Sequence, residues 1–289
     1  MGIIIETRRD FLKKAAYLTA GAASLPVRGA ACSSSKQTVE KEIGVQLWSV
    51  RNQLEADFEK TIGEIAAIGF DHVEAFGLSN SGIFPGLITP NQYEHVVKSA
   101  GMRIASCHSS YFTPEDAPTI IEAAKRLETD WVVIAWLAEE QRTGYYQHAE
   151  NMNKIGEQFK AAGIGFGYHN HEFEFFETEE GEIPLEIMIE NTDPDLVHFQ
   201  ADLYWIKKAG VDPLGFVQKY PGRFCSYHVK DADINLDQTT VGEGIIDFES
   251  ILKENKTTGI QYVFVEDERT DSPIENVKNG YNHLKSLNY

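Results

Sequence analysis

The chain has 289 residues, 42% hydrophobic, 11% aromatic and 24% charged, with 23 Gly and 10 Pro, which excludes collagen, a long coiled coil or wholesale disorder. Its 26 basic and 44 acidic side chains leave a net charge of −18, which disfavours a nucleic-acid partner and suits a small neutral ligand or bound cations. Cys32, Cys107 and Cys225 cannot all pair and form no CxxC, so neither a disulfide framework nor a zinc ribbon is indicated.

Residues 1–36 read as an address. The twin arginines Arg8 and Arg9, followed by Phe11 and Leu12, resemble a bacterial twin-arginine export signal. The apolar stretch from Ala15 to Leu25 is too short to span a membrane and fits a signal h-region. Gly29-Ala30-Ala31-Cys32 with the serines after it is similar to a lipobox and tether, although Gly29 and Arg28 depart from the usual pattern. The expectation is an exported, periplasmic protein, with Cys32 as the candidate lipid anchor.

From residue 42 to 289, runs rich in β-branched and aromatic residues alternate with helical stripes. The predicted strands are Ile43 to Trp48, His72 to Phe76, Arg103 to His108, Trp131 to Trp136, Gly165 to His171, Val197 to Asp202, Phe224 to Lys230 and Tyr262 to Glu268. Helical segments such as Phe58 to Ile68 lie between them, closed by Gly69, Gly101 or Gly163. Near-continuous apolar strands are buried on both faces, and no linker divides the chain, so the expected fold is a single (β/α)8 TIM barrel. Neither Gly165-Phe-Gly167 nor Gly242-Glu-Gly244 has the context of a dinucleotide fingerprint.

In such a barrel the C-terminal strand ends form the active face. His108, His169, His171 and His228 fall there, joined by Glu74, Glu172, Asp202 and Glu266. Residues two apart on a strand share a face, so His169 aligns with His171 and His228 with Lys230. His169, Asp202, His228 and Glu266 from strands five to eight can converge on one divalent ion, and imidazoles with carboxylates suit Mn, Zn, Co or Fe better than Mg.

These motifs resemble the sugar phosphate isomerase/epimerase superfamily with its xylose isomerase-like barrel. The carriers are Gly44-Val45-Gln46-Leu47-Trp48-Ser49, Glu74, Tyr168-His169-Asn170-His171-Glu172-Phe173-Glu174-Phe175, Asp202-Leu203-Tyr204-Trp205, His228-Val229-Lys230-Asp231, Val241-Gly242-Glu243-Gly244 and Glu266. The resemblance implies a metal held by His169, Asp202, His228 and Glu266. Ketose epimerases place a Glu where this chain has His169 and a His where it has Trp205, so the pattern is more similar to the branch of inosose dehydratases and 3-keto-glycoside lyases.

Both branches begin with removal of a proton beside a carbonyl, for which Glu266, Glu172, His171 and Lys230 are the candidate acid–base groups. Trp48, Glu74, His108, Trp205 and Glu243 are the candidate substrate contacts, with Phe76 and Tyr204 as further flat walls. Lys230 can instead pair with Asp231 or Asp202. An export signal and the lack of a basic cluster point to a non-phosphorylated sugar or keto-sugar. The expected activity is a metal-dependent sugar isomerase or epimerase, with keto-sugar lyase as the alternative and a non-catalytic carbohydrate-binding lipoprotein as the rival from another class.

Overall fold

The computed structural model describes residues 41–289, apart from 80–81, 85–87 and the side chain of Lys256. The signal and anchor readings at Arg8, Arg9 and Cys32 lie outside the described residues. Eight parallel strands close into a barrel in chain order: β1 (Gly44–Gln46), β2 (His72–Leu78), β3 (Arg103–Ser109), β4 (Trp131–Ile134), β5 (Gly165–His169), β6 (His198–Asp202), β7 (Phe224–Val229) and β8 (Tyr262–Val265). β8 pairs with β1 to complete the ring. A small antiparallel hairpin, Asp231–Ala232 with Gln238–Thr239, rises after β7.

The connecting helices start and stop where their sequences dictate. The Asp57 carboxylate accepts the Lys60 N–H at 3.1 Å to open helix Phe58–Ile68, and Gly69 closes it at φ 110°. Thr89 and Gln92 form a reciprocal capping box at the head of Pro90–Ser99. The outward strand faces, such as Val73, Ala75, Cys107, Phe199, Ala201, Tyr227 and Val229, are fully buried beneath these helices.

The inward faces are unusual for a barrel, whose interior is ordinarily filled by branched apolar side chains. At the N-terminal end the filling is aromatic: His72 meets Tyr262 and Phe264, and Trp131 meets His198. The Trp131 ring is accommodated because β5 begins with Gly165, where a Cβ would lie 2.4 Å from it. One layer up, Gln46, Glu74, Gln200 and Ser226 are all buried. Above them stand the histidines and acids of the C-terminal rim.

Several strands end sooner than expected. β4, β5, β7 and β8 stop at Ile134, His169, Val229 and Val265, and beyond β5 and β8 the backbone finds side-chain partners. The His171 N–H donates to the Glu174 carboxylate at 2.8 Å, the Asp267 N–H to Ser49 Oγ at 3.0 Å, and the Glu268 N–H to Gln238 Oε1 at 3.0 Å. His171, Lys230 and Glu266 therefore stand just past the strands on the rim.

Candidate active site

The site is built on a buried hub, Gln200 of β6. Its Nε2 donates to Glu74 Oε1 at 2.8 Å and to Ser226 Oγ at 2.9 Å, and its Oε1 faces His108 Nε2 at 2.6 Å and His169 Nδ1 at 3.0 Å. An amide oxygen can only accept, so His108 carries its proton on Nε2 and His169 on Nδ1. His169 thereby turns an unprotonated Nε2 toward the rim, where it lies 3.7 Å from Asp202 Oδ2.

Glu74 is fully buried and joins three further groups. Gln46 Nε2 donates to its Oε2 at 2.6 Å, His108 Nε2 lies 3.3 Å away, and His228 Nε2 donates to the same oxygen. Burial opposes ionisation of this carboxyl, but the His108 and His228 rings outweigh it and bring its pKa down to about 2. Burial likewise opposes charge on His228, while Glu74 and Glu266 raise its pKa to about 10. A carboxylate behind an imidazole fixes the ring and directs its other nitrogen, a common arrangement beneath metal-binding histidines.

That other nitrogen, His228 Nδ1, lies 2.6 Å from Glu266 Oε2 and 3.9 Å from Asp202 Oδ2. Asp202 is doubly fixed: its Oδ1 accepts the Trp205 N–H at 3.0 Å, capping helix Leu203–Lys208, and its own N–H donates to Asn170 Oδ1 at 3.1 Å. The buried Lys230 ammonium sits 2.9 Å from Asp202 Oδ2, 3.0 Å from Glu266 Oε2 and 2.5 Å from Glu268 Oε1. Of the two partners expected for Lys230, the structure selects Asp202. Burial pushes the Asp202 carboxyl up to about 6, against Lys230 and His228. Burial acts the same way on Glu266, but Lys230 and His228 prevail and hold it well below the usual range.

Three atoms in this cluster, Asp202 Oδ2, His228 Nδ1 and Glu266 Oε2, are buried without an aligned hydrogen bond, although Lys230 stands close to both oxygens. Asp202, His228 and Glu266 present ligand atoms within 4.8 Å of one another, as do His108, His169 and His228. Buried carboxylate oxygens and an imidazole nitrogen gathered in this way fit a divalent cation. Asp202, His228 and Glu266 would hold it, with His169 Nε2 beside them, and the nitrogen and carboxylate set suits a transition metal.

Above the cluster opens a pocket of about 430 Å³, lined by Trp48, Phe76, His108, His169, His171, Lys230, Glu266 and Glu268 among others. The His171 ring makes no hydrogen bond among the described residues; burial and then Lys230 lower its pKa to about 3. Half-exposed Trp48 meets Phe76 edge-on at 5.2 Å, and its backbone N–H donates to Gln46 Oε1 at 3.0 Å.

Three expected substrate contacts, Glu74, Trp205 and Glu243, and one expected acid–base group, Glu172, fall elsewhere. Glu74 lies beneath the histidines, out of a ligand's reach, because β2 points it into the polar layer. Trp205 packs behind His171 and Lys230, 5.4 Å from each. Glu172 does not line the pocket, since the chain turns at Phe173–Phe175 and carries it toward Lys208. Glu243 is exposed on a loop that packs against the C-terminal helix, away from the pocket. Conversely, Gln46, Gln200, Ser226, Glu268 and Trp136 were not foreseen. Gln200 was findable: it stands two residues before Asp202, on the same strand face.

A family model described as xylose isomerase-like TIM barrel matches residues 62–287. An inosose dehydratase from Clostridium perfringens is 30% identical over 149 residues, 44% of this chain and 48% of that protein, so the chain matches about half the length of the curated relative. A sugar phosphate isomerase/epimerase from Parabacteroides distasonis superposes with a TM-score of 0.77 at 27% identity, covering 89% of this chain and 98% of its own. The zinc-bound IOLI protein shares the fold, with a TM-score of 0.63 at 13% identity over 84% of this chain and 96% of its own.

Proposed function

The chain belongs to the xylose isomerase-like TIM barrel family, and from that premise we propose that it removes a proton from the carbon beside a ketone of a non-phosphorylated sugar and then expels a β-substituent. The observation that carries this reading is the asymmetry of the rim. Around the pocket, the carboxylate Glu266 is engaged by Lys230 and His228, whereas His171 Nδ1 has no hydrogen-bond partner among the described residues. His171 takes the α-proton, and the C–H electron pair forms the enolate. The Lys230 ammonium, held by three carboxylates, gives a proton to the departing alkoxide as the β C–O bond breaks and the double bond forms.

Asp202, His228 and Glu266, with His169, would hold a divalent ion, which when bound supplies Lewis-acid stabilisation of charge on the carbonyl oxygen. Gln200 and Glu74 orient the rings beneath. His108, at the pocket floor, holds the sugar hydroxyls. A phosphate finds no free cation here, since Lys230 is the only basic side chain lining the pocket among the described residues and is already paired. The dehydratase relative supports elimination. Isomerisation through the same enolate is the second reading, favoured by the Parabacteroides neighbour.

The test is NMR of a 3-keto-glucoside in deuterated water with added Mn. Solvent deuterium should enter beside the ketone while the alcohol is released. Exchange without release would favour isomerisation, and no exchange on any keto-sugar would overturn the proposal.

A further inference from the structure

Lys230 is 1% exposed, and an ammonium at that depth stays charged only where carboxylates surround it. Three do, and they differ in kind. The side chains of Asp202 and Glu266 are sealed, at 0% and 5% exposure, whereas that of Glu268 is 34% exposed and lines the pocket.

The first two contacts compete with cation binding atom for atom. Lys230 Nζ approaches Asp202 Oδ2 and Glu266 Oε2, the same oxygens that stand beside His228 Nδ1 without an aligned hydrogen bond. An ammonium and a divalent ion drawn to one pair of buried oxygens repel each other strongly. Glu268 belongs to neither group of candidate ligands found among the described residues. Its Oε1, 2.5 Å from Nζ, is the one carboxylate contact of Lys230 that a cation held by Asp202, His228 and Glu266 leaves in place.

Glu268 is also anchored independently of the cluster. Its N–H donates to Gln238 Oε1 at 3.0 Å and its carbonyl accepts from Arg51 Nη2 at 3.1 Å, so the hairpin after β7 and the helix Arg51–Ala56 hold its backbone from two sides. The preceding Asp267 is tied to Ser49 through its N–H and to Arg269 through its carboxylate. A backbone fixed in this way keeps the Glu268 carboxylate on the pocket side when charge at the rim is redistributed.

We propose that Glu268 is a positioning residue that lets ammonium and metal share the rim: it holds Lys230 on the pocket side when a divalent cation claims Asp202 and Glu266. The proposal rests on the cation-binding part of the reading above and is independent of elimination. It gives the centre a third acid whose partner is the lysine and not the metal.

A double-mutant cycle on Mn affinity, measured by isothermal titration of the full chain, tests it. Glu268→Gln, which removes the charge and keeps the shape, should weaken Mn binding about tenfold, the scale of one charge-assisted hydrogen bond. In a Lys230→Met background no ammonium needs a partner, and the same change should cost about threefold or less, the residue of a charge acting through solvent. A larger loss in that background would mean that Glu268 acts on the cation directly, and an unweakened Glu268→Gln single variant would mean that Lys230 needs no such partner; either result overturns the proposal. Lys230→Gln, whose amide still donates to the buried oxygens, supplies the background if Lys230→Met does not fold. Failure of the wild type to take up Mn by elemental analysis would overturn this proposal together with the cation site, while proton removal by His171 is decided separately by deuterium exchange.

Discussion

Gln200 shows how much one neutral side chain can organise. Replacing it with Leu leaves Glu74, Ser226, His108 and His169 short of partners in a sealed layer. The expected loss is about 2–5 kcal/mol of unfolding free energy by urea titration, larger than for an isolated buried hydrogen bond. The proposed metal ligands should separate from this effect. Asp202→Asn and His228→Ala should each abolish most metal content by elemental analysis. Lys230→Met, which removes a competing cation from Asp202 and Glu266, should tighten metal binding about tenfold or more. The acids and histidines of the rim were legible because period-two alternation in a strand fixes their side. Gln200 and Gln46 obey the same alternation, yet an amide carries no charge to draw attention to it. Trp136 was read as the end of a strand interior, and its exposure depends on where β4 releases the chain.

Elements explain why Glu243 is not where its two glycines suggested. The Asp231 carboxylate gathers the N–H groups of Gly242, Gly244 and Ile246 at 3.0, 3.0 and 3.2 Å. Gly244 is required by crowding, since a Cβ there would lie 2.2 Å from Asp231 Oδ1, and Gly242 adopts φ 96°. These glycines serve the loop's attachment to its own barrel, which motif reading cannot tell from an approach to ligand. Asp231→Ala should raise amide hydrogen exchange across 241–246 by about tenfold or more, with a stability cost of about 1–3 kcal/mol. Exchange unchanged in that segment would show that the carboxylate does not hold the loop. The strand and helix order, by contrast, was readable throughout, because hydrophobic runs and capping residues are local signals. The points at which strands give way to loops depend on distant partners such as Ser49 and Gln238, which no window of sequence contains.

At the scale of the whole molecule, the aromatic floor of the barrel sets an acid limit. His72 is buried with both ring nitrogens unpaired, and burial, then Arg103, lowers its pKa to about 4. The unfolded chain takes up this proton near pH 6.5 and the native state does not, so stability falls as pH drops from about 6.5 toward 4. The His72 contribution is about 2–4 kcal/mol. His72→Phe should lessen the pH dependence of the urea midpoint over that interval, with His171 still contributing in the same direction, and an unchanged slope would assign the acid sensitivity elsewhere. We propose twin-arginine transport, so pulse-labelled protein should reach the periplasm shortened by about thirty residues, and Arg8→Lys with Arg9→Lys should hold it in the cytoplasm.

Asp202 divides its two oxygens between separate tasks, one capping the helix that begins at Leu203 and the other facing the Lys230 ammonium. The Trp205 indole rests on that same ammonium and on the His171 ring. Any rearrangement of charge at the rim is therefore felt by a chromophore fixed to the helix it caps. The emission of Trp205 becomes an intrinsic optical gauge of the centre, readable without label or substrate and assignable by its loss in Trp205→Phe.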